Sequence, residues 1–185
     1  MSTTESHLLF PLTEFERNGA TELPDAAVVD GDTVPEPFRG LLVHKHDMTS
    51  TLESFHGERI HLSVLDSRHD TDRYLRKVLL LLDTCGIAVE YGAICIYLDR
   101  FPAAVREQIS EGRCPLGTIM STFDVAHSSR PRAYFKIAAC TELDEGLDAL
   151  FSGDLYGRSN CIVDQEGEPL ADIVEILPQI SPGPG

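Results

Sequence analysis

The spacing of hydrophobic and polar residues changes along the chain, and each change predicts a different element. An apolar residue at every third or fourth position predicts a helix, whereas strict alternation predicts a strand. Helical spacing occurs at residues 37–46, 48–56, 101–111 and 143–151. Alternating or continuously apolar stretches predict six strands, at residues 59–65, 74–82, 87–98, 133–139, 159–163 and 170–177.

Turn and cap residues mark several boundaries of these elements. Asp47 is a suitable N-cap for the helix that follows it, and Gly57 and Gly112 are suitable C-terminal stops. Pro115 begins a sharp loop that leads into a short apolar segment. Strands in hairpin-like succession with helices between them indicate the α+β class, with an antiparallel sheet of six strands.

Two charged residues occupy positions that alternation assigns to an apolar strand face. Arg76 shares its face with Val78 and Leu80, and Glu175 shares its face with Ile173. A buried charge without a partner costs several kcal/mol, so each residue needs a partner or a ligand.

Three interpretations of Arg76 and Glu175 remain open at this point. Each side chain could face solvent, or each could form a structural ion pair. Alternatively, the two could bind opposite ends of a small polar ligand, with the arginine on a carboxylate and the glutamate accepting from a hydroxyl group.

The net charge of the chain argues against some classes of binding partner. The chain has 185 residues, with 30 acidic and 15 basic side chains and a net charge of -15. Because neutralising phosphates is the main source of nucleic-acid affinity, this balance argues against DNA, RNA and anionic membranes as partners. Residues 1–36 hold eight acids and one base, and residues 159–185 hold five acids and no base, so most of the surplus is terminal.

The length of the chain suits one domain, and its composition indicates where that domain begins and ends. We interpret residues 1–36 as an acidic, loosely structured lead-in, residues 37–180 as the folded domain and residues 181–185 as a disordered tail. There is no signal-peptide pattern, and no segment approaches 18 apolar residues. Five widely spaced cysteines without a C-x-x-C pair indicate reduced thiols, so we expect a cytoplasmic protein.

Other candidate chemistry is weaker. His44, His46 and His56 are close in sequence, but their spacing does not match a metal-ligand set, and we expect no metal. Cys114 is a nucleophile only if a base lies beside it, and the sequence fixes none there. No glycine-rich phosphate loop is present.

Five groups of short motifs follow one another in a distinctive order. They are Asp47-Met48-Thr49, then YLRKVLL at 74–80, then LDRFPAA at 98–104 with PLG at 115–117, then YGR at 156–158 with GEP at 167–169, and finally VEILP at 174–178. In order and spacing they resemble the chorismate lyase (chorismate pyruvate-lyase) family. The resemblance covers about residues 40–178.

This resemblance implies a fold, a reaction and a set of site residues. Helices would cover one face of the six-stranded sheet and close over a buried small-ligand site. The site would need no cofactor. Chorismate would lose its enolpyruvyl group to give 4-hydroxybenzoate and pyruvate. Arg76 would bind the ring carboxylate with the backbone N–H groups of Met48 and Leu116. Glu175 would orient the 4-hydroxyl group or receive the C4 proton, which makes Arg76 and Glu175 the expected catalytic residues.

The sequence departs from the family at one informative position. Bacterial members of the ubiquinone pathway carry an arginine directly after the glycine that corresponds to Gly92, where this chain has Ala93. The partner of the second substrate carboxylate is therefore open, with Arg73, Lys77 and Arg158 as candidates. A relative of chorismate as substrate and a different hydroxybenzoate as product also remain open.

The main alternative function is binding without chemistry. Effector-sensing domains of GntR-type transcription regulators resemble the same fold, but residues 1–36 show no winged-helix pattern, which favours the enzyme. A purely structural protein would leave Arg76 and Glu175 unexplained. No feature of the sequence indicates an obligate dimer, so we expect a monomer. Its expected partner is a small-molecule substrate, chorismate, and not a nucleic acid or a membrane.

Overall fold

A seven-stranded antiparallel sheet organises the protein in its computed structural model, which describes residues 8–15, 25–137 and 153–179. Its order is β1-β5-β6-β7-β4-β3-β2, with every neighbouring pair antiparallel. The strands are β1 Ala26–Val29, β2 Ile60–His69, β3 Arg73–Leu82, β4 Ala88–Tyr97, β5 Ser128–Ile137, β6 Leu155–Val163 and β7 Pro169–Leu177. The α+β class and the antiparallel sheet are therefore confirmed.

The predicted count of six strands is corrected to seven by β1. This strand pairs with β5 at the edge of the sheet and comes from the segment that we interpreted as a loosely structured lead-in. Four residues are too few for a period to be visible, and an edge position leaves Val28 65% exposed, so no alternating pattern marks the strand. The domain boundary at residue 37 stays a prediction.

Between the strands, the described residues form four α-helices: α1 Phe38–Leu42, α2 Met48–His56, α3 Ala103–Glu111 and α4 Leu116–Thr122. Gly57 and Gly112 end α2 and α3 with φ of 66° and 68°, a conformation that favours glycine, as the stop signals predict. The apolar segment after Pro115 is helical, because this proline stands just before the first turn, where its missing N–H has no cost. The predicted helix at 143–151 lies outside the described residues.

The period of two divides the side chains of the sheet between two hydrophobic layers. Leu80 and Leu82 of β3 pack under α1 and α2, and Tyr74 packs under α3 and α4. The intervening Leu75 and Leu79 point to the opposite face. That face is covered in part by four buried residues near the N-terminus, Leu8, Leu9, Leu12 and Phe15. All four helices thus lie on the face that carries Arg76.

No helix within the described ranges is long and apolar enough to cross a membrane.

Candidate ligand-binding site

A cavity lies between the helical face of the sheet and the first turns of α2 and α4. The empty space between its walls amounts to about 490 Å³, its open mouth included. The polar side chains on its walls come from three strands and from the start of α2, and they are Arg76, Glu90, Glu175, Asp47 and Thr49. The rest of the wall is mainly apolar, which is typical of a site for a small organic ligand.

Arg76 supplies the positive charge of this cavity. Its side chain is only 2% exposed, and its Nη2 donates to the carbonyl oxygen of Cys114 at 3.0 Å. Nε and Nη1 are buried and have no hydrogen-bond partner among the described residues, and we call them the unmatched N–H groups. Burial lowers the pKa of Arg76, with an opposing effect from Tyr74, but a guanidinium stays charged in a protein. The cavity therefore borders a cation whose hydrogen bonds are incomplete.

Strand register places Arg76 and Glu175 on one face but well apart. Arg76 pairs with Ile94 of β4, and Glu175 pairs with Gly92 of the same strand. The two residues are thus two strands and two residues apart, which separates their Cα atoms by roughly 12 Å. Among the described residues they do not form the structural ion pair with each other that the sequence left open. Both line the cavity, as the hypothesis of a two-ended ligand site requires.

Glu175 has a different structural partner, Arg158 of β6. The Nε of Arg158 donates to Oε2 of Glu175, and Nη2 donates to Oε1 at 3.3 Å. The remaining nitrogen of Arg158, Nη1, donates to the carbonyl oxygens of Leu42 and His44, each at 3.2 Å. Burial would lower the pKa of Arg158, but the charge and hydrogen bonds of Glu175, together with smaller effects of Glu90 and Tyr134, raise it. The interpretation of Glu175 as half of a buried ion pair is therefore confirmed, with a partner that the sequence analysis did not name.

Glu90 is a third buried charged residue of the cavity, and the sequence analysis missed it. It lies on β4, opposite Leu80, and its side chain is 5% exposed. Its Oε2 is buried and finds no hydrogen-bond partner in the described part of the chain. The alternation that singled out Arg76 would also have found Glu90, since Gly92 and Ile94 continue its strand face.

Electrostatics distinguishes Glu90 from Glu175. Burial raises the pKa of Glu90 well above its usual value, and the negative charge of Glu175 adds to this effect, while Arg158 opposes it. Burial likewise raises the pKa of Asp47, again with a contribution from Glu175. Three carboxyl groups thus share this end of the cavity with one arginine, and the arginine is bound to Glu175.

Gly92 leaves the space in which the two glutamates come together. A Cβ at this position would lie 2.8 Å from the carbonyl oxygen of Val174 and 3.1 Å from Oε1 of Glu90. The first distance is a clash with backbone, which cannot move without displacing β7. Glycine at residue 92 therefore allows close packing of β4 on β7 beside the Glu90 carboxyl group.

Met48 and Leu116, predicted to bind through their backbone, are the first residues of α2 and α4. Both line the same cavity as Arg76. The N–H groups in the first turn of a helix have no acceptor within the helix, so they remain available to other groups. The structure therefore brings all four predicted site residues to one cavity, while their roles in binding and catalysis stay predictions.

The candidates for a second substrate carboxylate occupy different places. Arg73, the first residue of β3, donates to Asp70 at 2.9 Å and borders another cavity. Lys77 lies on the strand face opposite Arg76, as alternation predicts, and Ala93 packs in the hydrophobic layer of that opposite face.

Arg158, by contrast, lies next to the site. A second cavity, of about 390 Å³ with its mouth, shares Met48 and Glu175 with the first. Arg158 lines this second cavity, together with the basic side chains of Lys45 and His46. Its nitrogens, however, donate to Glu175 and to the carbonyl oxygens of Leu42 and His44, so the partner of the second substrate carboxylate stays open.

The weaker candidates for chemistry do not form a site. No group of three or more His, Cys, Asp or Glu side chains within the described ranges is placed to hold a metal ion. His44 instead approaches the carbonyl oxygen of Leu41 at 2.6 Å and stacks on His46. Cys114 is exposed and contributes its carbonyl oxygen, not its thiol, to Arg76.

Comparisons with known proteins find similar chains among solved structures. No protein-family model matches the chain, and no curated protein matches it at a significant level. Among solved structures, a similar chain is the ligand-binding domain of a protein described as a GntR-family transcriptional regulator from Bordetella bronchiseptica. The two share 13% identity and a TM-score of 0.45, over 68% of this chain and 92% of that one. Both values are too low to transfer a function to this chain.

Proposed function

We propose that this protein binds chorismate in the cavity and eliminates pyruvate from it, which leaves 4-hydroxybenzoate as the aromatic product. The observation that carries the proposal is the pair of unmatched N–H groups on Arg76, a buried cation on the wall of a mainly apolar cavity. A bare buried charge is costly, and a bound carboxylate removes that cost.

The Arg76 end suits the ring carboxylate of such a ligand. The unmatched N–H groups of Arg76 can donate charge-assisted hydrogen bonds to a carboxylate, and bonds of this kind are about twice as strong as neutral ones. The first N–H groups of α2 and α4, at Met48 and Leu116, border the same space. Their partial positive charge adds to the attraction for an anion.

The opposite end suits the ring hydroxyl group. Glu175 lies two strands away on the same face, and its carboxylate is held in a fixed orientation by Arg158. A ligand of about one ring in length spans the distance between the two ends. This arrangement favours a ring with a carboxylate at one end and a hydroxyl group at the other.

The reaction itself needs few groups. The bond from C3 to the enolpyruvyl oxygen breaks, and the electron pair of the C4–H bond forms the new ring double bond. The C4 proton leaves, enolpyruvate takes up a proton to become pyruvate, and no oxidant or reductant is consumed. Because the ring becomes aromatic, the protein mainly has to exclude water, hold the reactive conformer and orient the hydroxyl group or accept the proton at Glu175.

A second function, binding of an aromatic acid without turnover, is favoured by one observation. Glu175 is held at both carboxylate oxygens by Arg158. A carboxylate whose two oxygens already accept hydrogen bonds has fewer lone pairs left for a proton, so this arrangement suits recognition of a hydroxyl group better than proton transfer.

Two measurements separate these functions. The first incubates the protein with chorismate and follows pyruvate with a coupled enzyme and 4-hydroxybenzoate by absorbance. The second titrates the protein with 4-hydroxybenzoate by calorimetry. Both are repeated with Arg76→Met and with Arg106→Met, a matched control on the exposed face of α3.

The outcomes are distinct. Pyruvate formation that Arg76→Met abolishes and Arg106→Met preserves supports the lyase. Saturable binding that depends on Arg76, with no pyruvate above the spontaneous rate, supports the second function and overturns the first. Absence of both turnover and binding overturns the two together.

A further inference from the structure

Glu90 is a buried carboxyl group to which the lyase proposal gives no role. It lines the cavity, and its Oε2 has no hydrogen-bond partner among the residues that the structure describes. A buried polar atom without a partner costs about 1–3 kcal/mol, so such an atom beside a cavity indicates a ligand contact.

The surrounding charges determine the protonation of Glu90. The groups that act on it come from three other elements: Glu175 of β7, Arg158 of β6 and Asp47 at the start of α2. Arg158 donates to both oxygens of Glu175 and directs its remaining nitrogen to backbone carbonyls. An ionised Glu90 would therefore add an uncompensated negative charge to a buried site, and this favours the protonated acid.

A protonated carboxyl group offers a donor that the neighbouring carboxylate lacks. Both oxygens of Glu175 accept hydrogen bonds from Arg158, whereas a neutral Glu90 carries one O–H donor. A ring hydroxyl group can donate to the first and accept from the second at the same time. A ring amine can donate to Glu175, but its nitrogen is a poor acceptor because its lone pair is delocalised into the ring.

We propose that Glu90 donates a hydrogen bond to the oxygen substituent of the bound ring and thereby selects a hydroxyl group over an amine at that position. This inference rests on the proposed binding of an aromatic acid at Arg76, and it makes Glu90 the specificity-determining residue at the far end of the cavity. The structural basis is the juxtaposition of Glu90 and Glu175 across Gly92, where the strand has no side chain.

The experiment compares three benzoates that differ only at the ring position para to the carboxylate. Calorimetric titrations at pH 7 use 4-hydroxybenzoate, 4-aminobenzoate and benzoate against the full chain. The variants are Glu90→Gln, which keeps a neutral donor and acceptor, and Glu90→Met, which keeps the length without hydrogen bonds. Glu107→Gln on the exposed face of α3 is the matched control.

For the unmodified protein we expect 4-hydroxybenzoate to bind about tenfold more tightly than 4-aminobenzoate, the ratio that one hydrogen bond supplies. Glu90→Met should reduce this ratio to about one, whereas Glu90→Gln should retain most of it. Benzoate should bind all variants within about twofold, because it does not reach Glu90 with a polar group. Equal benzoate binding also shows that each variant is folded at the site.

The possible failures point to different parts of the inference. Retention of the tenfold ratio in Glu90→Met, with benzoate binding unchanged, overturns the role of Glu90 and leaves the proposed site intact. Equal affinities for the hydroxy and amino compounds in the unmodified protein have the same consequence. Absence of saturable binding for all three acids overturns the proposed function and this inference with it.

Discussion

Arg76 on β3 and Arg158 on β6 are almost equally withdrawn from solvent, at 2% and 0% exposure, yet their surroundings differ. Arg158 donates to both oxygens of Glu175 and to two backbone carbonyl groups. Arg76 donates to one carbonyl oxygen, and its two other nitrogens are the unmatched N–H groups. Of these two arginines, only Arg76 borders the first cavity with N–H groups that have no hydrogen-bond partner.

The difference separates a structural charge from one available to a ligand. A buried charge that is fully paired ties elements together, here the loop after α1 to β6 and β7. A buried charge with incomplete hydrogen bonds lowers the stability of the free protein and is kept where a ligand completes it. Burial alone does not distinguish the two arginines, whereas the hydrogen bonds that each nitrogen makes do.

The largest expected effect comes from breaking the paired arginine. Arg158→Met leaves the Glu175 carboxylate buried without its counter-ion, and we expect it to lower the free energy of unfolding by about 3–5 kcal/mol. Denaturant titration measures this loss. The double variant Arg158→Met/Glu175→Met, which removes both charges, should recover much of it. An Arg158→Met protein as stable as the unmodified one would contradict the structural role.

The unpaired arginine should respond in the opposite way. Arg76→Met removes a buried charge whose hydrogen bonds are incomplete, so the free energy of unfolding should stay unchanged or rise. Binding of 4-hydroxybenzoate should weaken by about 100-fold, because a charged hydrogen-bonded contact is lost. Calorimetry and denaturant titration of the same sample test both statements. A loss of stability similar to that of Arg158→Met would show that the two arginines do not differ.

A smaller effect is expected at Glu175, which belongs both to the ion pair with Arg158 and to the proposed mechanism. Glu175→Gln retains the shape of the side chain but replaces a charged hydrogen-bond acceptor with a neutral one, so chorismate turnover should fall by about tenfold. Single-turnover kinetics measures this change, and the thermal midpoint shows whether the fold persists. Turnover close to that of the unmodified protein would remove Glu175 from the mechanism while leaving its ion pair with Arg158 intact.

The smallest effect concerns the pH dependence of stability. Burial raises the pKa of Glu90 above its ordinary value of 4.5, so above pH 4.5 the unfolded chain loses a proton that the folded state retains. The free energy of unfolding therefore falls as pH rises from about 4.5 towards the folded-state pKa. Glu90→Gln removes this ionisable group, so its free energy of unfolding should fall less between pH 4.5 and 7 than that of the unmodified protein. Denaturant titrations at pH 4.5 and 7 test the difference, and parallel curves for the two proteins would contradict it.

Sequence reasoning predicted most of the fold for local reasons. The strands β2 to β7 and the helices α2 and α3 contain enough residues for their periods to be visible, and Gly57 and Gly112 mark helix ends. The edge strand β1 was missed because four partly exposed residues have no measurable period. The helix α4 was interpreted as a loop with an apolar segment, because proline precedes both kinds of element.

The candidate site was predicted only in part. Alternation placed Arg76 and Glu175 on apolar strand faces, since that rule depends on nearest neighbours in the chain. It also applies to Glu90, which was not singled out. No local rule pairs Glu175 with Arg158, because they are 17 residues apart and meet only through the register of β6 and β7.

The sequence by itself determined which side chains are charged within apolar strands, since a period of two is a property of the local backbone. The tertiary structure decided which of these charges are paired. Strand order sets Arg76 two strands from Glu175, and the register of β6 on β7 gives Glu175 to Arg158. Hydrogen bonds require contact within about 3 Å, and only the folded sheet brings residues so distant in sequence that close.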